Sequence, residues 1–132
     1  MSTSATHRRI SILEKEGMIE KYTASLSGEK LGYSMIFFVE VSLENQSDKT
    51  LASFEKAALE RPEVLECYTM TGIWDYVLKI VTRDIRHYED FVRNTLNTME
   101  MIRELHSHMA VTEIKNTTAL PINTQLKESS GN

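Results

Sequence analysis

From residue 33 onward, apolar and polar positions along the chain follow one period and then another. Tyr33–Glu44 alternates every second residue: Phe37, Val39, Val41 and Leu43 face one way, Phe38, Glu40, Ser42 and Glu44 the other. That period predicts a strand with one face in a core. Asn45–Asp48 is a loop with capping side chains. Over Lys49–Glu60, Leu51, Phe54 and Ala58 then recur at helical spacing, and Pro62 ends the helix. Val64–Met70 and Tyr76–Val81 read as two more strands about a turn at Gly72. Asp84 caps a second helix with a stripe of Tyr88, Phe91, Val92, Thr95, Leu96 and Met99. A last strand is expected over Glu104–Lys115, then a polar tail over 123–132 whose end, Ser129-Ser130-Gly131-Asn132, is expected to be disordered.

The order β-α-β-β-α-β predicts an α+β, ferredoxin-like sandwich over residues 33–122, a split βαβ unit with helices on one face of the sheet. The other face is left uncovered. Ile36, Phe38, Tyr68 and Met70 make that face apolar enough to expect a homodimer in which two sheets pack together.

Upstream, Ser4–Glu16 reads as a helix with Thr6, Ile10 and Leu13 on one side and Gly17 as its stop. Met18–Ala24 reads as a short strand-like stretch. The helix starts on a run of hydroxyl, imidazole and guanidinium side chains, which by itself is equally consistent with a solvated, Ser/Thr-capped N-terminus.

Composition narrows the class. The 132 residues, 41% hydrophobic and 26% charged, are enough for one globular domain with an appendage. The one cysteine, Cys67, excludes an internal disulfide framework and points to a reducing cytoplasm. Mid-strand, it reads as a small buried hydrophobe. No apolar run approaches the roughly 20 residues that span a bilayer, and no signal peptide is visible, so no membrane partner is expected. The net charge of −4 is unevenly spread: residues 1–22 hold four Lys/Arg against three carboxylates, so a slightly basic end precedes an acidic body.

Candidate chemistry is sparse. No phosphate loop, paired-carboxylate motif or HExxH occurs, and no nucleophile has a base in reach of it in the sequence, so no catalytic residue and no enzyme activity are expected. His106 and His108 share one strand face, but two imidazoles without a third ligand read as surface or interface histidines; no metal or cofactor is expected. Gly72-Ile73-Trp74-Asp75 forms a tight strand-to-strand turn whose carboxylate either caps backbone N–H groups or meets a ligand ammonium.

Two stretches carry a resemblance. Ser2-Thr3-Ser4-Ala5-Thr6-His7-Arg8-Arg9-Ile10, with Leu13-Glu14-Lys15-Glu16-Gly17-Met18-Ile19 and Tyr22, resembles the recognition-helix end of the Lrp/AsnC transcription regulators. Glu66-Cys67-Tyr68, Thr71-Gly72-Ile73-Trp74-Asp75-Tyr76 and Ile114-Lys115 resemble that family's effector domain, which has the same element order. The resemblance spans residues 2 to 122.

It implies that Ser2, Thr3, Ser4, Thr6, His7, Arg8 and Arg9 face operator DNA, as hydroxyls and guanidiniums suit phosphates and guanine edges. It implies an effector pocket between subunits for a small molecule of the amino-acid class, built on Thr71, Gly72, Ile73, Trp74 and Asp75, with Ser107 and Met109 adding a polar contact and an apolar wall. Ile73 stands where some relatives have a polar or acidic residue. Assembly beyond the dimer, to a tetramer or octamer, is also implied. The family's two helices upstream of the recognition helix have no counterpart in this sequence. Residues 1–26 are therefore expected to be a remnant of a helix-turn-helix domain. The alternative expectation is a stand-alone amino-acid-sensing and oligomerisation module that does not itself bind DNA.

Overall fold

The computed structural model describes residues 3–122, so Ser2 and the tail 123–132 lie outside the described residues. The chain divides into two compact units, residues 1–32 and 33–132.

In the first unit, α1 spans Thr3–Lys15. Its C-terminus closes on Gly17, whose φ of 76° takes the left-handed region that a glycine enters without strain. The Gly17 N–H donates to the Glu14 carbonyl at 3.1 Å and the Met18 N–H to the Leu13 carbonyl at 2.9 Å, the paired bonds of a Schellman stop. No α1 side chain is buried, and Ile10 and Leu13 stay exposed. The strand-like stretch expected over Met18–Ala24 is not a strand. A strand exists by pairing, and none of the described residues pairs with this one.

The second unit is the expected sandwich: β1 (Met35–Leu43), α2 (Asp48–Glu60), β2 (Val64–Thr69), β3 (Tyr76–Thr82), α3 (Ile85–Asn94) and β4 (Ile102–Met109). The sheet is antiparallel throughout in the order β2-β3-β1-β4. Its inward side chains alternate as the period requires: Phe37, Val39, Val41 and Leu43 from β1, and Tyr76, Leu78 and Ile80 from β3. Phe54 and Ala58 of α2 and Tyr88 and Phe91 of α3 close over them. Phe37 stacks on Tyr88 with centroids 3.6 Å apart, and Phe54 tilts against Tyr76 at 4.6 Å. Both helices start on side-chain caps, Ser47 Oγ accepting the Thr50 N–H at 3.2 Å and Asp84 Oδ1 the His87 N–H at 2.7 Å.

Three expectations are corrected here. The stripe through Met99 is not one helix: α3 ends at Asn94, and Leu96–Thr98 makes a separate 3₁₀ turn. Thr98 Oγ1 donates to the Thr95 carbonyl at 2.7 Å, the local competition by which hydroxyl side chains break helices, while Leu96 still reaches the core. β4 ends at Met109 rather than Lys115, because β1 begins at Met35 and offers nothing to pair with beyond the bond from the Ala110 N–H to the Ile36 carbonyl. Cys67 is exposed rather than buried. It faces the helix side, opposite Leu78, but β2 is an edge strand whose outer residues the helices do not cover.

Candidate functional site

The β2–β3 turn is held by backbone and side-chain hydrogen bonds to the neighbouring strand. Gly72 takes φ 97°, a conformation L side chains rarely adopt, so the chain reverses within a few residues. The turn's base is a backbone bond from the Met70 N–H to the Asp75 carbonyl at 3.0 Å, and the Asp75 N–H donates to the Val41 carbonyl at 2.9 Å. The Asp75 carboxylate reaches across to the neighbouring strand, where Oδ2 accepts the Leu43 N–H at 2.7 Å. Gln46 Nε2 stands 3.4 and 3.5 Å from its two oxygens. Of the two readings the sequence left open, backbone capping is present within the chain. Oδ1 retains only the long contact to Gln46, which leaves acceptor capacity for an ammonium.

Around this turn the side chains diverge. Thr71 and Ile73 point into solvent, Ile73 being 83% exposed. Trp74 folds onto the open side of the sheet, its ring 4.6 Å from that of His106 on β4. Ser107 and Met109 do not join this group within one chain. They lie opposite Val39 and Phe37, on the helix side, and Ser107 shares a short hydrogen bond with the Tyr88 hydroxyl. Met109 is also displaced along β1 from the turn by the four residue steps from Val41 to Phe37, about 13 Å at roughly 3.3 Å per residue.

The open face is a mixed surface. Phe38, Tyr68 and Met70 are exposed on it and Ile36 is half-buried. Between them run carboxylate pairs: Glu66 with Lys79 at 3.3 Å, Glu40 with His108 at 2.8 Å, Glu104 with His106 at 3.5 Å. The Tyr68 hydroxyl donates to Glu66 at 2.6 Å. That bond, then Lys79, holds the Glu66 carboxyl below the usual carboxylate range, and the same bond raises the Tyr68 phenol. Among the described residues no group of three or more His, Cys, Asp or Glu is placed to hold a metal ion.

On α1, Ser4, Arg8, Ser11 and Lys15 recur at i, i+4, i+7 and i+11 and form one polar, basic face. Thr3 and Thr6 fall on the opposite side with Ile10 and Leu13, while His7 lies between the two faces and Arg9 beside the apolar one. The first turn carries no acidic residue.

Sequence reasoning missed Gln46, Tyr88 and the partnership of Trp74 with His106. The first is a loop glutamine with no motif around it. The others follow from the register of β4 on β1, which no local pattern encodes.

No described helix is long and apolar enough to cross a membrane. Residues 36–120 match the family model described as the Lrp/AsnC ligand binding domain. A Bkd operon transcriptional regulator of Pseudomonas aeruginosa is 37% identical over 122 residues, 92% of this chain and 80% of the relative. A transcriptional regulator of Neisseria meningitidis, solved as a complex with L-methionine, superposes with a TM-score of 0.88 at 32% identity, over 96% of this chain and 81% of that one. An AsnC family transcriptional regulator of Agrobacterium tumefaciens superposes with a TM-score of 0.84 at 36% identity, over 92% and 78% of the two chains. The relatives are transcriptional regulators, not enzymes. The sandwich with its glycine-hinged turn, and the likeness over nearly the whole chain, make this protein a member of the Lrp/AsnC family of transcriptional regulators.

Proposed function

We propose that this chain is an amino-acid-responsive regulator of transcription acting in the cytoplasm, in which residues 1–26 face operator DNA and residues 33–122 sense the effector and assemble. The observation that carries the reading is the asymmetry of the sheet. Helices cover one face, and Phe38, Tyr68 and Met70 are exposed on the other, which is the arrangement of a surface that pairs with a copy of itself. Two copies packed by their sheets form the dimer, and further contacts between dimers give a tetramer or octamer.

The effector site is the β2–β3 turn. Thr71, Gly72, Ile73, Trp74 and Asp75 supply backbone groups, a partly unused carboxylate and an apolar rim, a set that suits the two charged ends and side chain of an α-amino acid. Ser107 and Met109 join only if a second subunit brings them there. The L-methionine held by the Neisseria relative supports an amino acid as ligand. DNA contact falls to Arg8, Ser4 and the helix start around Thr3, Thr6, His7 and Arg9, with Ser2 just ahead of it.

Trp74 is the single tryptophan of the chain and sits in the turn, so its fluorescence reports on the site. Titration of the full chain with each of the twenty L-amino acids is expected to give a saturable change for at least one. A spectrum indifferent to all twenty counts against an amino-acid effector.

A further inference from the structure

Trp74 belongs to the turn between β2 and β3, yet its ring meets His106 of β4, at a centroid distance of 4.6 Å and an interplanar angle of 52°. In the order β2-β3-β1-β4, the strand that Trp74 leads into lies two strand spacings from β4, about 10 Å. The indole therefore reaches across β1 to be seated. Its neighbour Ile73 shows the alternative, a turn side chain left 83% exposed, whereas Trp74 is half-buried. Ser42, the open-face residue of β1 at this end, is 1% exposed, so the chain's own atoms cover this corner of the sheet.

His106 is itself fixed from its own strand, where Glu104 Oε1 stands 3.5 Å from its Nε2. The other charged groups around it are engaged elsewhere. Glu40, directly opposite on β1, pairs with His108 at 2.8 Å; Asp75 of the turn accepts the Leu43 N–H at 2.7 Å; Arg103 Nε donates to Ser42 Oγ at 3.2 Å. Because Trp74 directly precedes Asp75, the seat of its ring constrains the backbone from which the Asp75 carboxylate leaves. The turn has two anchors on the sheet, Asp75 on β1 and Trp74 on β4.

We infer, resting on the effector site proposed above, that His106 is a positioning residue for the β2–β3 turn: it seats Trp74, and through Trp74 it holds residues 71–75 in the arrangement that meets the effector, more firmly when the imidazole carries a proton. The physical basis is the indole face. A cation within about 6 Å of an indole centroid is attracted to it, whereas a neutral imidazole makes only a contact between two rings. Histidine is the side chain whose charge changes between about pH 5 and 8, so the grip on the turn tightens as the pH falls through that range.

The test follows the emission of Trp74, the chain's one tryptophan, in the full chain from about pH 7.5 to about 5.5. An imidazolium quenches a neighbouring indole more strongly than a neutral imidazole does. Wild type is expected to lose emission in a single step, which His106→Gln abolishes and His108→Gln leaves in place; circular dichroism checks that both variants fold. Deuterium exchange over residues 70–76, corrected for the intrinsic effect of pH, reads the grip itself. Protection in wild type is expected to rise about two- to fivefold at the lower pH, the size of an exposed cation–π contact. It should stay low in His106→Gln and high at both pH values in His106→Arg, which keeps a cation under the indole. An emission step that survives in His106→Gln, or exchange that is alike in wild type and both variants, overturns the inference. L-methionine supplies the last arm, since it stays zwitterionic across this range: its affinity is expected to follow the same order as the protection, and one pH profile shared by all three proteins contradicts the inference. If L-methionine binds at neither pH, that failure falls on the effector reading alone, and emission and exchange still decide whether His106 holds the turn.

Discussion

The Asp75 carboxylate accepts the backbone N–H of Leu43 at 2.7 Å, binding the β2–β3 turn to the neighbouring strand at the end of the sheet. With the bond from the Asp75 N–H to the Val41 carbonyl, this contact couples the candidate effector site to the core, since Leu43 and Val41 are both fully buried. A charge-assisted bond to a part-buried N–H is worth about 1.5–3 kcal/mol, and its loss leaves the donor unsatisfied. Asp75→Ala is therefore expected to lower the thermal midpoint by several degrees, at about 4–8 °C per kcal/mol for a unit of this size. Differential scanning calorimetry measures it; an unchanged midpoint shows that the carboxylate is not holding the turn.

Gly72 sets the direction of the chain at the same turn. A Cβ built there meets no atom within 4 Å, so any cost of substitution comes from its φ of 97° and not from crowding. Gly72→Asn is expected to cost less than Gly72→Val, because Asn tolerates positive φ and a β-branched residue does not; the valine cost is on the order of 1–3 kcal/mol. Urea midpoints of the two variants decide it, and equal losses would refute the strain argument.

Tyr76 is expected to give the fold an alkaline limit. Its ring is buried, and its hydroxyl donates to Glu55 Oε2 at 2.6 Å. Burial, then that bond and the Glu55 charge, raise the phenol well above its ordinary range. A pKa raised in the folded state means stability fully present below the unfolded phenol's value of about 10 and lost as pH rises from there toward the folded value. Tyr76→Phe should cost about 1–2 kcal/mol at neutral pH by removing the bond, yet show a shallower loss between about pH 9.5 and 11. Parallel slopes for the two proteins would mean that Tyr76 does not set the limit.

On α1, Arg8 shares the polar face with Ser4, Ser11 and Lys15, while Thr6 lies on the apolar side. If that face meets phosphates, Arg8→Ala weakens binding to duplex DNA and lowers the salt slope by about 1, whereas Thr6→Ala leaves the slope alone. Binding isotherms at several salt concentrations separate the two variants. Equal slopes for wild type and Arg8→Ala would take Arg8 off the DNA.

Much of this was legible in the sequence because it is written in local periods. The alternation through Phe37, Val39, Val41 and Leu43, the caps at Ser47 and Asp84, and the turn at Gly72 each state their structure within a few residues. What failed depended on partners elsewhere. The exposure of Cys67 is not legible locally, because burial at a strand depends on whether that strand lies at the edge, and the order β2-β3-β1-β4 is a property of the whole sheet. The end of β4 is decided by where β1 begins. The candidate site was legible as a turn and not as a geometry: Asp75 with Gln46, Trp74 with His106 and Ser107 with Tyr88 are pairings across 29, 32 and 19 residues of chain, set by register and not by motif.

A sensor that works by self-assembly must show both properties in one experiment. Sedimentation velocity on the full chain, run over a range of concentrations with and without each L-amino acid in turn, reads them together. The expected outcome is a dimer or larger particle whose distribution shifts with at least one amino acid. A single monomeric species throughout, or an assembly that none of the twenty alters, would contradict the regulatory reading.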